Sequence, residues 1–114
     1  MNTEPSVFTR IINREIPSEI LFESENVIVI KTITPHAPVH VMAIPKKPYR
    51  DLTELLVAGE KDLLWELFEA ILEVARNSGI AETGYKVSMN TGENAGQSVF
   101  HLHIHLLGGK RLQE

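Results

Sequence analysis

The stretch HLHIHLLGG, residues 101–109, places three of the five histidines of this 114-residue chain at alternate positions. Successive side chains of a β-strand point to opposite faces of the sheet, so this spacing predicts His101, His103 and His105 on one face. The leucine and isoleucine residues between them fall on the other face, where they can pack against a helix. We therefore predict a strand over residues 98–107, with a row of imidazoles on the face away from the core.

Outward from this strand, the hydrophobic pattern has a period of two residues in some stretches and a helical period in others. Runs rich in β-branched residues, bounded by polar turns and prolines, predict four further strands over residues 20–24, 26–33, 40–45 and 83–90. Helical spacing predicts a short N-terminal helix capped by Ser6 and a long helix from about Glu60 to Ser78. The pattern indicates an α+β fold, a five-stranded antiparallel sheet covered by one long helix, and we expect this single domain to span residues 1–114.

The bulk composition argues against several classes of function. A formal net charge of −4 and a pI near 5.7 disfavour a groove for a nucleic-acid polymer, which requires a basic face. The absence of cysteine rules out disulfides and thiolate metal sites. No apolar run approaches the roughly 20 residues that cross a bilayer, and MNTEPSVFTR at the start lacks the pattern of a signal peptide. We therefore expect a cytoplasmic protein with no nucleic-acid or membrane partner.

The histidine row has three possible interpretations. A solvated strand face would more commonly carry lysine, threonine or glutamate. A metal site lacks convergence: at about 3.3 Å per residue, His101 and His105 lie roughly 13 Å apart at Cα, too far for one zinc ion. Two neighbouring histidines of the row could bind a metal only with a third ligand from elsewhere in the chain. His40 is the candidate, because His36 is expected to be a solvated residue of a proline loop. The third interpretation is nucleophilic catalysis by a neutral imidazole, for which we expect neither a metal nor another cofactor.

The loop before the histidines, NTGENAGQSVF at residues 90–100, is a candidate phosphate holder. Gly92 and Gly96 allow the backbone to bend, and successive N–H groups there can form an anion nest. The loop also offers three neutral side-chain donors, Asn90, Gln97 and Ser98. Glycine and asparagine are ordinary turn residues, so it is the position directly before the histidines that favours a binding role.

The sequence resembles the histidine triad (HIT) superfamily. HLHIHLL fits its alternating-histidine signature, and three segments are similar to its histidine triad nucleotide-binding (Hint) branch. These segments are FTRIINREIPSEILFE at residues 8–23, TPHAPVHVMAIPKK at 34–47 and GQSVFHLHIHLLGG at 96–109. The resemblance runs in order from about residue 7 to residue 110, so it implies a HIT-like fold for nearly the whole chain.

The resemblance implies a set of catalytic residues. The middle histidine, His103, matches the nucleophile that attacks the α-phosphorus and forms a nucleotidyl-histidine. His105 matches a phosphate and leaving-group contact, and His101 matches the residue that orients the nucleophile, with His40 behind it. Ser98 matches a donor on the phosphate side that can assist the leaving amine.

The resemblance also implies a nucleotide pocket. Positions that line the phosphate and ribose match Asn90, Gly96, Gln97, Ser98, His103 and His105. The purine slot matches Phe8, Ile11, Ile30 and Ile33, with Val7 at its edge, although such apolar residues are also typical of a core. Thr32 stands where the family commonly has an aspartate that binds the ribose hydroxyls. A hydroxyl cannot form the charge-assisted bidentate contact of a carboxylate, so we expect weaker ribose recognition.

The function that the resemblance implies is hydrolysis of purine nucleoside phosphoramidates and acyl-nucleotides. Two alternatives stay open: a dinucleoside polyphosphate hydrolase or nucleotide transferase, and a regulatory purine nucleotide-binding protein with vestigial catalysis. The family also implies a homodimer, and Trp65 and Leu72 at the margins of the long helix's apolar stripe would be unfavourable on a monomer surface. The final residues, KRLQE, stand where many relatives continue into a Trp-Pro-Pro-Gly tail, so the resemblance leaves the leaving-group selectivity open.

Overall fold

A computed structural model of the chain describes residues 5–114, and its centre is one five-stranded sheet. The strands in chain order are β1 (Ile20–Glu23), β2 (Val27–Lys31), β3 (Val39–Pro45), β4 (Tyr85–Ser88) and β5 (Ile104–Gly108). They lie in the order β1-β2-β3-β5-β4, and every neighbouring pair is antiparallel. The predicted α+β class and five-stranded antiparallel sheet are confirmed.

Four helices accompany the sheet: α1 (Val7–Ile12), α2 (Leu52–Val57), α3 (Lys61–Asn77) and α4 (Ile80–Thr83). The short helix α1 and the long helix α3 agree with the prediction. Ser6 caps α1 as predicted, because its Oγ accepts the N–H of Thr9 at 3.1 Å. Helices α2 and α4 were not predicted, since their short apolar patterns do not complete two helical turns. No helix within residues 5–114 is both long and apolar enough to cross a bilayer.

The main core lies between α3 and one face of the sheet. Val41 and Ala43 of β3, which are almost fully buried, share a cluster with Leu67 and Ile71 of α3. The apolar residues between the histidines, Leu102, Ile104 and Leu106, belong to the same cluster. This confirms that they face the long helix, and it places the histidines on the opposite side of the sheet.

A second, smaller core covers that opposite side. Phe8 and Ile11 of α1 pack there against a set of sheet residues, Ile28, Ile30, Met42 and Ile44. Met42 stands opposite His105 in the β3–β5 register. The prediction that the histidine face points away from the core was therefore wrong in part. Helix α1 folds back over this face and buries two of its four apolar side chains, Phe8 and Ile11, against it.

The fifth strand begins at Ile104, so its predicted start at residue 98 was wrong. Pairing with β3 starts at Ala43 opposite Ile104, and residues 98–103 are irregular. The N–H of Leu102 is donated to the carbonyl of Tyr49 at 2.8 Å, which is a loop contact outside the strand ladder. The three histidines consequently differ in exposure: His101 is buried, whereas the other two are half-buried.

Candidate functional site

Four of the five histidines assemble beneath α1, where β3 and β5 lie side by side. The ring centroids of His40 and His105 are 5.2 Å apart, and those of His103 and His105 are 5.1 Å apart. The edge of Phe8 meets His103 with a centroid separation of 4.9 Å. Buried His101 lies further under the helix, 6.0 Å from Phe8 between centroids. The predicted catalytic histidines are thus brought into one cluster.

His103 is held in a defined tautomer by the main chain. Its Nδ1 lies 2.8 Å from the carbonyl oxygen of His101. A carbonyl oxygen only accepts, so Nδ1 must carry the proton in this hydrogen bond. In the neutral ring the lone pair is therefore on Nε2. Within residues 5–114, Nε2 of this half-buried ring has no hydrogen-bond partner, so it is available to an electrophile.

His105 is held in the complementary tautomer by a chain of two hydrogen bonds. The backbone N–H of His36 is donated to Nδ1 of His40 at 3.0 Å. Neutral His40 then carries its proton on Nε2, which lies 3.0 Å from Nδ1 of His105. His105 therefore accepts at Nδ1 and carries its own proton on Nε2. The two neighbouring rings present opposite chemistry, a lone pair on His103 and an N–H donor on His105.

Burial keeps this chain of imidazoles neutral. Desolvation and then the neighbouring His103 and His40 lower the pKa of His105 from 6.5 to about 4. Burial, followed by the charge of His36, also lowers the pKa of His40. His36 is exposed in the loop before β3, which confirms its expected place in a solvated loop. Its ring centroid lies 5.6 Å from that of His40.

His101 contributes differently from the expectation. Its buried ring donates from Nε2 to the carbonyl of Pro45 at 2.8 Å, and burial lowers its pKa. The ring makes no hydrogen bond to His103; the peptide carbonyl of His101 makes that contact. His40 also lies behind His105, whereas the expectation placed it behind His101.

The loop before the histidines is closed by its own hydrogen bonds. The N–H groups of Ala95 and Gln97 are donated to the carbonyl of Gly92, and that of Gly96 to the carbonyl of Glu93. The N–H of Gly92 is donated to Oε1 of Gln97 at 2.8 Å. The loop folds into a short 3-10 turn that uses these four N–H groups internally, so the predicted anion nest would have to draw on other N–H groups of the loop. Both glycines are left-handed, with φ of +87° and +84°, as the predicted bend requires.

Gln97 and Asn90 hold the loop together. The Gln97 amide is buried, and its Nε2 is donated to the carbonyls of Arg50 and Val99 at 2.8 and 3.0 Å. Asn90 donates its Nδ2 to the carbonyl of Ala95 at 2.7 Å. Both Gln97 donors are occupied. Ser98 differs, because it is exposed and, in the described part of the chain, its hydroxyl has no hydrogen-bond partner.

The predicted purine slot is split between core and surface. Phe8, Ile11 and Ile30 are buried in the second core, whereas Ile33 is 96% exposed and does not join them. Thr32 precedes Ile33, and its Oγ1 accepts the N–H of Thr34 at 3.3 Å. That contact stabilises a turn, which is the common local use of a threonine hydroxyl.

The metal interpretation finds no matching geometry. Nε2 of His40 and Nδ1 of His105 are in direct hydrogen-bond contact, which leaves no room for an ion between them. Across residues 5–114, no group of three histidine, cysteine, aspartate or glutamate side chains is arranged to hold a metal ion.

Sequence reasoning missed the contacts between distant residues that support this cluster. The hydroxyl of Ser6 lies 2.9 Å from Nδ1 of His101, 95 residues away in the chain, and the main-chain atoms of Pro45 and Arg50 bind His101 and Gln97. The sequence pattern around Ser6 indicates a helix cap, but it does not indicate that the same hydroxyl contacts His101.

Comparison with known proteins agrees with the fold. A family model for the HIT domain matches residues 13–112. The chain is 38% identical over 109 residues to a purine nucleoside phosphoramidase of Escherichia coli K12, covering 96% of this chain and 91% of that protein. It is 42% identical over 111 residues to the adenylylsulfatase HINT1 of Arabidopsis thaliana, covering 95% and 74%.

Solved structures give the same family. A HIT family hydrolase from Clostridium thermocellum superposes with a TM-score of 0.92 at 46% identity, covering 99% of this chain and 97% of that one. A histidine triad protein from Clostridium difficile also has a TM-score of 0.92, at 35% identity, covering 100% and 98%. The alternating histidines, the sheet that carries them and these matches lead to one conclusion: the chain belongs to the HIT domain family.

Proposed function

We propose that this protein is a hydrolase of purine nucleoside phosphoramidates and acyl-nucleotides that acts through a nucleotidyl-histidine on His103. The observation that carries the proposal is the contact of His103 Nδ1 with the carbonyl of His101, which leaves the Nε2 lone pair free. A relative at 38% identity is named purine nucleoside phosphoramidase, and a solved relative is named a HIT family hydrolase.

The proposed reaction has two displacements at phosphorus. In the first, Nε2 of His103 attacks the α-phosphorus and the bond from phosphorus to the amine nitrogen breaks. The amine leaves with a proton delivered through the Ser98 hydroxyl, which regains a proton from water. Ser98, exposed and without a partner in the described residues, is the proposed hydrogen-bond donor on the leaving-group side. In the second, water attacks the phosphorus and the bond to His103 breaks, which releases the nucleoside monophosphate and restores the imidazole.

His105 supplies the proposed hydrogen bond to the phosphate. Because His40 occupies its Nδ1, its Nε2–H points away from that contact and is free to donate to a phosphoryl oxygen. A pKa of about 4 keeps the ring neutral near pH 7, so the donated hydrogen stays defined. A neutral His105 also avoids placing a second positive charge beside the His103 ring, which becomes positively charged when its Nε2 bonds to phosphorus.

The nucleotide half of the proposed site combines the loop before the histidines with the apolar residues of the second core. Asn90, Gly96 and Gln97 act from within the loop, which holds Ser98 outward. In this proposal the purine lies beside the buried apolar cluster of Phe8, Ile11 and Ile30, and the exposed Ile33, which does not belong to that cluster, would contact the purine from outside it. Thr32 faces the ribose in this proposal, with a hydroxyl that already accepts one backbone N–H.

We also propose a homodimer, which is the state that the resemblance implies. Helix α3 leaves three large apolar side chains exposed on its outer side: Trp65 at 69%, Phe68 at 39% and Leu72 at 36%. Positions three and seven residues apart share one helix face, so these side chains form a continuous stripe. Pairing of two copies through this stripe would remove it from water. Sedimentation at micromolar concentration is expected to give about twice the 12.8 kDa chain mass, and a single species at the chain mass would contradict it.

A side-by-side assay tests the proposed substrate class. An adenosine phosphoramidate and a diadenosine polyphosphate are compared at equal concentration with the native protein and with His103→Ala. We expect faster turnover of the phosphoramidate, abolished by the substitution. Faster turnover of the polyphosphate favours the dinucleoside polyphosphate hydrolase, and tight binding of a purine monophosphate without any turnover favours the regulatory binding protein.

A further inference from the structure

The hydroxyl of Ser6 connects the start of α1 to the histidine cluster. Its Oγ accepts the N–H of Thr9 at 3.1 Å, which caps the helix, and lies 2.9 Å from Nδ1 of His101. The Thr9 hydroxyl is a second, longer neighbour of the same nitrogen at 3.3 Å. One side chain therefore serves both the helix end and a buried imidazole.

The direction of the Ser6 contact follows from the other side of the His101 ring. Nε2 lies 2.8 Å from the carbonyl oxygen of Pro45, which only accepts, so Nε2 carries the proton. In the neutral ring Nδ1 is then an acceptor, and Ser6 donates its hydroxyl hydrogen to it. His101 is 1% exposed, so water cannot replace this donor if it is lost, and only the longer contact with the Thr9 hydroxyl at 3.3 Å remains. Burial lowers the pKa of His101, which preserves the neutral state that this arrangement needs.

His101 transmits this contact to the proposed nucleophile through its own peptide group. Ring and carbonyl belong to one residue, and the carbonyl accepts Nδ1–H of His103 at 2.8 Å. Helix α1 reaches the same place independently, because Phe8 lies two residues after Ser6 and its ring edge meets His103. Movement at the helix cap would therefore reach His103 from two sides.

We propose that Ser6 is a positioning residue that orients His103, acting through His101 and through the seating of Phe8. The proposal rests on the proposed function for its kinetic consequence, whereas its structural consequence is measurable in the protein without substrate. Ser6 touches neither reacting atom, so its removal acts on the geometry of the nucleophile and leaves the chemistry of the imidazole intact.

Four variants separate this role from helix capping. Ser6→Ala removes both the cap and the contact with His101. Ser6→Gly removes the same hydroxyl but leaves a residue that caps helices at little cost, and Ser6→Thr retains a hydroxyl. Ser24→Ala is the matched control, because the Ser24 hydroxyl accepts the N–H groups of Val27 and Asn26 in a turn and touches none of the histidines.

The kinetic readout is the separation of kcat from KM on an adenosine phosphoramidate. We expect kcat to fall by about tenfold in both Ser6→Ala and Ser6→Gly, which corresponds to the loss of one buried hydrogen bond, while KM changes by less than about twofold. Ser6→Thr is expected to retain most of kcat, and Ser24→Ala is expected to leave it unchanged. A normal kcat in Ser6→Gly, or an equal fall in Ser24→Ala, would overturn the proposal.

The second readout is nitrogen NMR of the histidine rings without substrate. In Ser6→Gly, Nδ1 of His101 keeps only the longer contact with the Thr9 hydroxyl at 3.3 Å, so its signal is expected to shift toward that of a more weakly hydrogen-bonded nitrogen, and the signals of His103 are expected to move with it. If the native protein hydrolyses no phosphoramidate but these shifts occur, the proposed function fails and the positioning role stands. Unchanged His103 signals would overturn the positioning role even in an active enzyme.

Discussion

His40 and His105 share a direct hydrogen bond, with Nε2 of His40 3.0 Å from Nδ1 of His105. The bond exists in this direction because the backbone N–H of His36 already occupies Nδ1 of His40 at 3.0 Å. A single loop amide thus decides which nitrogen of His105 carries the proton. In the proposed mechanism this proton stabilises negative charge on the phosphate.

Removal of His40 is expected to reduce turnover without affecting the nucleophile. In His40→Ala, Nδ1 of His105 loses its donor and the ring is no longer confined to one tautomer, so kcat should fall by about tenfold. His36→Ala is the matched control, since it removes an imidazole but retains the backbone N–H that His40 requires. Steady-state kinetics of both variants decide this prediction, which fails if His36→Ala is as harmful as His40→Ala.

The buried histidines are expected to make the fold sensitive to mild acid. The pKa values of His40, His101 and His105 are all lowered in the folded state, that of His105 from 6.5 to about 4. Below pH 6.5 the unfolded chain therefore binds more protons than the folded one, and stability falls as the pH drops toward 4. His105 alone accounts for a loss of roughly 3 kcal/mol, at about 1.4 kcal/mol for each pKa unit.

Denaturant unfolding between pH 7 and pH 4.5 measures this dependence. The variant His105→Gln supplies the comparison, because paired carboxylates such as Glu23 also titrate at the acid end of the range. Subtracting the two curves isolates the histidine. A native protein whose unfolding free energy does not change between pH 6.5 and pH 5 would contradict this prediction, because it would show that the imidazoles bind protons in the folded state as readily as in the unfolded chain.

Gln97 and Ser98 are adjacent, but substituting each of them with alanine is expected to affect a different property: stability for Gln97 and turnover for Ser98. Gln97→Ala leaves the N–H of Gly92 and two carbonyls without their partner, so unfolding should become easier by about 1–3 kcal/mol. Ser98→Ala removes an exposed hydroxyl, so stability should stay within about 0.5 kcal/mol while kcat falls. Thermal unfolding and turnover, measured on both variants, separate the two roles; equal stability losses would disprove this division.

Thr32 is expected to give weak discrimination between ribo- and deoxyribonucleotides. Its hydroxyl already accepts the N–H of Thr34, so it loses little when a substrate lacks the 2′-hydroxyl. Thr32→Asp should raise the ribo-to-deoxyribo ratio of kcat/KM by about tenfold, the effect of one hydrogen bond to a charged group, and leave kcat nearly unchanged. Strong discrimination in the native protein, unaltered by the substitution, would place ribose recognition on another residue.

The alternation of histidine with leucine and isoleucine was sufficient to predict which side chains face α3, because the period of a strand sets the side of each residue. It did not predict where the strand begins. The start of the strand depends on the hydrogen bond from the N–H of Leu102 to the carbonyl of Tyr49, which joins residues 53 positions apart in the sequence. Local patterns carry no information about such a partner.

The residues of the histidine cluster were predictable, and their hydrogen bonds were not. The spacing of the row and the resemblance together predict the four members of the cluster, His40, His101, His103 and His105. The assignment of protons depends on the carbonyls of Pro45 and His101 and on the amide of His36, which any residue type would supply. The anion nest was predicted from glycines, but the N–H groups beside them are used within the loop.

The central claim is that His103 becomes covalently linked to the nucleotide. The measurement that tests it most directly is rapid-quench mass spectrometry of the protein during turnover of an adenosine phosphoramidate, with the modified peptide sequenced. The quench and digestion are kept at neutral or alkaline pH, because the bond from phosphorus to the imidazole nitrogen hydrolyses in acid. We predict a mass increase of one adenylyl group on His103, which forms before the free nucleotide is released and is absent from His103→Ala. Turnover in His103→Ala, or an adduct on any other residue, would contradict the account.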